Sequence, residues 1–135
     1  MAHRNMIEPE PTEDSAPFWA AANEGRFLLR VCADCGVAHW YPRSHCPFCS
    51  SRNVEWREAS GKGTIYSYTL MRKAKPPYVL TYVTLDEGPK MLVNIVDSDF
   101  DAITIGARVH ATFGEKTASG RTVPMFTLTT AEDRA

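Results

Sequence analysis

The sequence predicts a mainly β protein in which a short N-terminal helix leads into a cysteine-centred module and then into a small five-stranded sheet. Three observations carry this expectation. All four cysteines fall in one regularly spaced set between residues 32 and 49. Beyond Gly61, five segments rich in Val, Ile, Thr, Tyr and Phe alternate with turn-forming residues. The breaks between them have hairpin length except one, at 97–105, which is long enough to hold a helical turn.

A chain of 135 residues suits one compact domain, or two very small ones joined tightly. Its 44% hydrophobic and 23% charged residues can build a core, which excludes wholesale disorder. No stretch approaches the ~18 consecutive apolar residues of a membrane-spanning helix. The opening MAHRNMIEPEPTED has neither the apolar run nor the cleavage site of a secretory signal, so a cytoplasmic location is expected. Charge narrows the partners. Glu8, Glu10, Glu13 and Asp14 stand against Arg4 alone before residue 18, and the remainder carries a net charge of about +2 within an overall −1. Proteins that bind nucleic acid through its phosphates carry a larger basic excess, so that class is disfavoured.

Residues 1–14 are polar, contain Pro9 and Pro11, show no periodicity and read as a flexible arm. Residues 15–59 hold the helix and the cysteine module. Ser15 takes the N-cap, Pro17 lies in the first turn, Phe18, Ala21 and Ala22 share one face, and Gly25 stands where a C-terminal cap belongs. A helix this brief needs its aromatic pair, Phe18 and Trp19, packed against something, within the chain or on another subunit. Residues 26–31 (RFLLRV) predict a strand running into Cys32, and 54–58 (VEWRE) alternate as a half-buried strand does. Residues 60–131 then supply strands at 64–72, 78–85, 91–96, 107–113 and 123–130. Turn chemistry separates them at Pro76-Pro77, Asp86-Glu87-Gly88-Pro89, Gly106 and Ser119-Gly120. Five strands with a longer third-to-fourth connection suit a Greek-key barrel of the OB type; an open sandwich fits the same string.

The cysteines are spaced Cys32-x2-Cys35, ten residues, Cys46-x2-Cys49. Each C-x-x-C loop turns tightly enough to aim two thiolates at one point, and two such knuckles complete a tetrahedral four-sulfur shell. Gly36 and Ser50 follow the second cysteine of each pair, where small residues relieve crowding. The competing readings are a disulfide pair, a redox-active pair and an iron site. Disulfides are disfavoured without an export signal, and a redox motif is normally single and opens a helix in a βαβ unit. Iron shares the tetrathiolate geometry, but zinc is the commoner occupant of a closed structural site. His45 reads as a surface or supporting residue, since four thiolates already suffice. A closed shell leaves no open position for substrate, so Cys32, Cys35, Cys46 and Cys49 are expected to hold a structural metal, contributing on the order of 10 kcal/mol to folding.

No G-x-S-x-G, P-loop or H-E-x-x-H motif is present. Gly61-Lys62-Gly63 resembles a fragment of a phosphate loop but reads better as a turn. His110, alternating with Val109 and Ala111, is expected to face solvent, and Asp97, Asp99 and Asp101 read as a solvated turn rather than a calcium loop. No catalytic residues are assigned. Two features suit ligands. Arg72, Lys73 and Lys75, at the end of the first barrel strand, are candidates to meet the phosphates of a nucleotide-like cofactor. Tyr66, Tyr68 and Tyr82 offer either a stacking platform for bases or simply barrel wall.

Taken together these residues resemble a family of bacterial and archaeal proteins that join a rubredoxin-like zinc ribbon to an acyl-CoA-associated OB-fold, long known only as a domain of unknown function. The resemblance spans roughly residues 18–130. It rests on Phe18-Trp19 with Gly25, CADCG at 32–36, YPRSHCPFC at 41–49, SGKGTIYSYT at 60–69, PYVLTYVTLDEGPKMLVNIV at 77–96 and IGARVHATF at 105–113. It implies a non-catalytic, zinc-containing subunit that associates with a thiolase-like or related acyl-CoA enzyme and helps to hold coenzyme A. In that setting the helix around Phe18 and Trp19, with the ribbon, is expected to meet the partner, and Arg72, Lys73 and Lys75 to meet the CoA phosphates. The rivals are a single-stranded nucleic-acid-binding module and an independent acyl-CoA hydrolase.

Overall fold

The computed structural model describes residues 8–130. The expected arm at 1–14 therefore lies partly outside the described residues; within them, Glu8 accepts a hydrogen bond from Ser119 and pairs with Arg121 at 3.5 Å. The element order is α1 (Ala16–Asn23), β1 (Leu28–Cys32), β2 (Ala38–His39), β3 (Val54–Glu58), β4 (Lys62–Met71), β5 (Tyr78–Leu85), β6 (Lys90–Ile95), a 3-10 turn (Phe100–Ala102), β7 (Arg108–Thr112) and β8 (Met125–Leu128). Among the described residues no helix is long and apolar enough to cross a membrane.

At the start of α1, Ser15 occupies the N-cap but makes no capping bond to the first turn. Its buried hydroxyl instead accepts from the Thr12 amide at 2.9 Å, closing the turn that precedes the helix. At the other end Gly25, at φ +76°, lets its own amide and that of Arg26 bond back to Ala22 and Ala21 at 3.0 and 2.9 Å. The chain then reverses into β1, the centre of a three-stranded antiparallel sheet ordered β2-β1-β3.

The second sheet closes as a barrel in the order β4-β5-β6-β8-β7, with β7 pairing back onto β4. Closure decides between the barrel and the open sandwich. All pairings are antiparallel except β6 with β8, where the return across the barrel brings Ile95 beside Phe126 in parallel. The connection at 97–105 holds the 3-10 turn, with Asp99 accepting from the Asp101 amide at 3.1 Å. A register shift between Ile65 and Ser67 places an extra residue, Tyr66, in β4 and bends the strand around the barrel. Gly63 fixes the approach of β4 to β5. A Cβ there would lie 2.5 Å from Val83 Cγ1 and 2.7 Å from the Thr84 carbonyl, so no side chain fits.

One hydrophobic core serves both sheets. Ile65, Val79, Val83, Val93, Val109 and Phe126 fill the barrel, and Phe18, Phe27 and Leu29 reach them from the helix and β1. Phe27 meets Phe126 edge-on, with ring centroids 6.0 Å apart. Phe18 is surrounded by Trp19, Phe27 and Trp40 at 4.8–5.7 Å. The short helix is thus stabilised from within, and Phe18, only 2% exposed, is not a surface anchor for a partner as the sequence suggested.

Candidate metal centre and adjoining cleft

The two knuckles are built alike. In the first, the Gly36 amide bonds to the Cys32 carbonyl at 2.8 Å and the Cys35 amide points at Cys32 Sγ at 3.4 Å. In the second, the Ser50 amide bonds to the Cys46 carbonyl at 2.9 Å and the Phe48 amide points at Cys46 Sγ at 3.4 Å. Gly36 and Ser50 both take positive φ, +75° and +67°, which explains small residues there. A clasp ties the knuckles together: Ser51 donates to one Asp34 carboxylate oxygen and Asn53 to the other, while the Ala33 amide bonds to the Asn53 carbonyl at 2.8 Å.

This arrangement gathers the four sulfurs within 4.8 Å of one another, with Cys32–Cys49 and Cys35–Cys46 each at 3.6 Å. A tetrahedral ion with metal–sulfur bonds of about 2.3 Å needs sulfur–sulfur edges of about 3.8 Å, so the cluster fits a tetrathiolate metal ion. The electrostatics fit as well. The Cys35 amide directed at Cys32 Sγ pulls that thiol down to about 7, toward the anionic form that a metal needs. At Cys49 the Ser51 amide acts in the same sense, yet the neighbouring Cys32 sulfur holds the thiol up at about 12. Like charges crowded this closely oppose one another, and a bound cation would favour the thiolate form of all four. Cys32 and Cys46 are buried, Cys35 and Cys49 exposed. His45 is exposed, bonded through Nδ1 to the Ser44 hydroxyl at 2.9 Å.

The other sequence-derived candidates scatter. Arg72, Lys73 and Lys75 are exposed on the β4–β5 turn, where Arg72 lies 3.9 Å from Asp101 and 5.6 Å from the Phe100 ring centroid. Tyr66 and Tyr82 are 58% and 47% exposed on the barrel wall, with the Lys90 ammonium 4.8 Å from the Tyr66 ring.

A cleft of about 850 Å³ opens at the other end of β4, between the cysteine module and the barrel. Its lining includes Arg26, Phe27, Lys62, Arg108, His110 and Phe113. His110, expected to face solvent, is half-buried there, with Nδ1 3.0 Å from the Thr129 hydroxyl. Arg26 pairs with Glu58 at 2.8 Å, and Arg108 grips Asp86 through two bonds of 2.7 and 2.8 Å. Sequence reading missed this cleft; its walls come from four distant segments, and only the turn-like Gly61-Lys62-Gly63 hinted at it.

Comparison with known proteins agrees with both halves. Residues 19–55 match the family described as "ChsH2, rubredoxin-like zinc ribbon domain" and 56–114 the family "ChsH2, C-terminal OB-fold domain". A DUF35 domain-containing scaffold protein of Methanocaldococcus jannaschii is 34% identical over 104 residues, 70% of this chain and 73% of that one. A probable enoyl-CoA hydratase alpha subunit of Thermomonospora curvata is 33% identical over 76% of this chain but only 34% of its own length, so the chain spans about a third of that relative. A solved structure titled "Ltp2-ChsH2(DUF35) aldolase" superposes with a TM-score of 0.79 at 30% identity, covering 91% of this chain and 100% of that one. With its paired knuckles followed by a closed barrel, the chain belongs to the DUF35 family of zinc-ribbon and OB-fold proteins.

Proposed function

We propose that this chain is a non-catalytic accessory subunit of an acyl-CoA enzyme, of thiolase-like or related type, whose zinc is structural and whose barrel half helps to position the coenzyme A moiety. The observation that carries the reading is the convergence of all four thiols of the sequence on one point. Those sulfurs, all four ligating one redox-inert zinc ion, leave no coordination position open to a substrate. Two histidines of the described residues support it: His39 is sealed in the core and His45 lies on an exposed loop away from the cleft. Relatives named as scaffold proteins support the accessory role, and one named as an enoyl-CoA hydratase alpha subunit supports an acyl-CoA enzyme as the setting. The partner would supply the reacting groups, and this subunit would orient the thioester carrier without changing its chemistry.

The test is affinity purification of the tagged, metal-loaded chain from its native cell. Recovery of an acyl-CoA enzyme in stoichiometric amount is expected; its absence, or acyl-CoA thioester turnover by the isolated chain, overturns the reading. Metal content is measured on the same sample, where zinc is expected and a coloured iron tetrathiolate would correct the assignment. One observation favours a second reading, single-stranded nucleic-acid binding: Tyr66 and Tyr82 are exposed on the barrel wall, Tyr66 with Lys90 over its ring. Fluorescence anisotropy with single-stranded DNA at ~150 mM salt decides it, since non-specific binding is at best about micromolar there. Tighter binding would favour that second reading.

A further inference from the structure

We propose that the cleft between the cysteine module and the barrel, rather than the β4–β5 turn, receives the phosphorylated nucleotide end of the ligand, with Lys62 and His110 as its contact residues. The proposal rests on the coenzyme A reading above and locates it. The cleft, at about 850 Å³, has the size of a cofactor site, whereas a second cavity beside Leu29 and Glu87 holds about 250 Å³. A shallower one of about 630 Å³ is lined by Asp97, Ser98, Asp99 and Phe100 and would repel an anion.

The charges in the cleft divide into two kinds. Arg26 and Arg108 already hold Glu58 and Asp86, which fixes their positions and leaves little charge to offer. Lys62 is exposed and forms no salt bridge among the described residues, its charge felt by the Asp86 carboxylate that Arg108 already grips, and His110 spends one ring nitrogen on Thr129 and keeps the other. These two are the donors left for a phosphate. Phe113 and Ala111, both half-buried, give the same cleft apolar surface suited to a base or a pantetheine arm.

The space is also built by small residues. Gly61 and Ala111 both line the cleft, and a Cβ on Gly61 would come within 3.2 Å of the Ala111 Cβ and 4.0 Å of the Phe27 Cβ. Gly61, at φ +72°, and its neighbour Lys62 thus turn the first barrel strand around an open concavity. At the β4–β5 turn, by contrast, Arg72 lies 3.9 Å from the carboxylate of Asp101.

The experiment titrates the full, zinc-loaded chain with adenosine 3′,5′-bisphosphate and, separately, with inorganic pyrophosphate, read by calorimetry and by amide shifts in nitrogen-15 spectra. Saturable bisphosphate binding is expected, with shifts concentrated at residues 60–63 and 108–113. Loss of a charge-assisted contact in Lys62→Ala should weaken it by about tenfold, and Lys62→Glu by more. The double variant Lys73→Ala/Lys75→Ala should leave it unchanged. Binding lost in that double variant but kept in Lys62→Ala overturns the proposal, as does the absence of saturable shifts. Equal affinity for pyrophosphate overturns the nucleotide part. If the cleft fails while an acyl-CoA enzyme still co-purifies, the accessory-subunit reading stands without it. If the cleft binds and no such enzyme is recovered, that reading falls and an anion site remains.

Discussion

Gly63 faces Leu85 across β4 and β5, and the space its missing side chain leaves is already filled by Val83 and the Thr84 carbonyl. Gly63→Ala should cost about 1–3 kcal/mol, read as a lowered urea midpoint, because backbone cannot yield as a side-chain tip can. Phe18 is the counterpart on the helix. Phe18→Ala should cost about 3–5 kcal/mol, since its ring meets three other aromatic rings. His39 sets a pH dependence. It is 2% exposed with neither ring nitrogen bonded, and burial, reinforced by Arg30 and Arg43, pushes its pKa below the ordinary value. The folded chain therefore prefers the neutral ring, and the unfolded chain takes up the proton first. Stability from this source is complete above about pH 6.5, the unfolded value, and declines as pH falls below it. His39→Phe in the metal-loaded protein should flatten the urea midpoint between pH 7.5 and 6; an unchanged slope would refute the assignment.

The helix, knuckles and strands differ in how openly the sequence announced them. The knuckles were legible because two residues between cysteines nearly determine where both sulfurs point, whatever surrounds them. Strands β3 and β5 were legible in full, their alternation surviving as burial on one face of the sheet. Strand β2 was not, since two residues among turns carry no period. Ser15 had the composition of a cap, yet its hydroxyl turned to Thr12, a choice between two local partners that residue type leaves open. The clasp of Asp34 with Ser51 and Asn53 was invisible for another reason, because it depends on one knuckle sitting opposite the other. Asp34→Ala should weaken metal affinity by about tenfold, measured by competition with a chelating dye, because groups that orient a metal's ligands carry effects of that order.

At the scale of the whole molecule, Phe18, Phe27 and Leu29 insert into the barrel's core, so the cysteine module and barrel should unfold together. The three tryptophans, Trp19, Trp40 and Trp56, all lie before the barrel, which makes their fluorescence a reporter for one half and far-ultraviolet dichroism a reporter dominated by the other. Coincident transitions are expected, shifted together to lower denaturant when a chelator strips the metal. Separate transitions would show that the shared core does not couple the halves. The cleft belongs to this scale too: residues 25–27, 58–62 and 108–113 meet only after both sheets have formed, and no window of the chain contains them. The same limit hid the destination of His110 and the burial of Phe18, each settled by what arrives from elsewhere.

The single parallel pairing of the barrel, Ile95 beside Phe126, has a consequence for how the protein is made. Until translation has passed residue 128, the nascent chain can zip β4, β5 and β6 into a meander but cannot cover its inner face. A chain that has not yet gained its last strand therefore exposes a half-built apolar sheet, the stage at which aggregation competes best. Purified chains truncated before Met125 should bind a hydrophobic dye, and the full 135-residue chain should not.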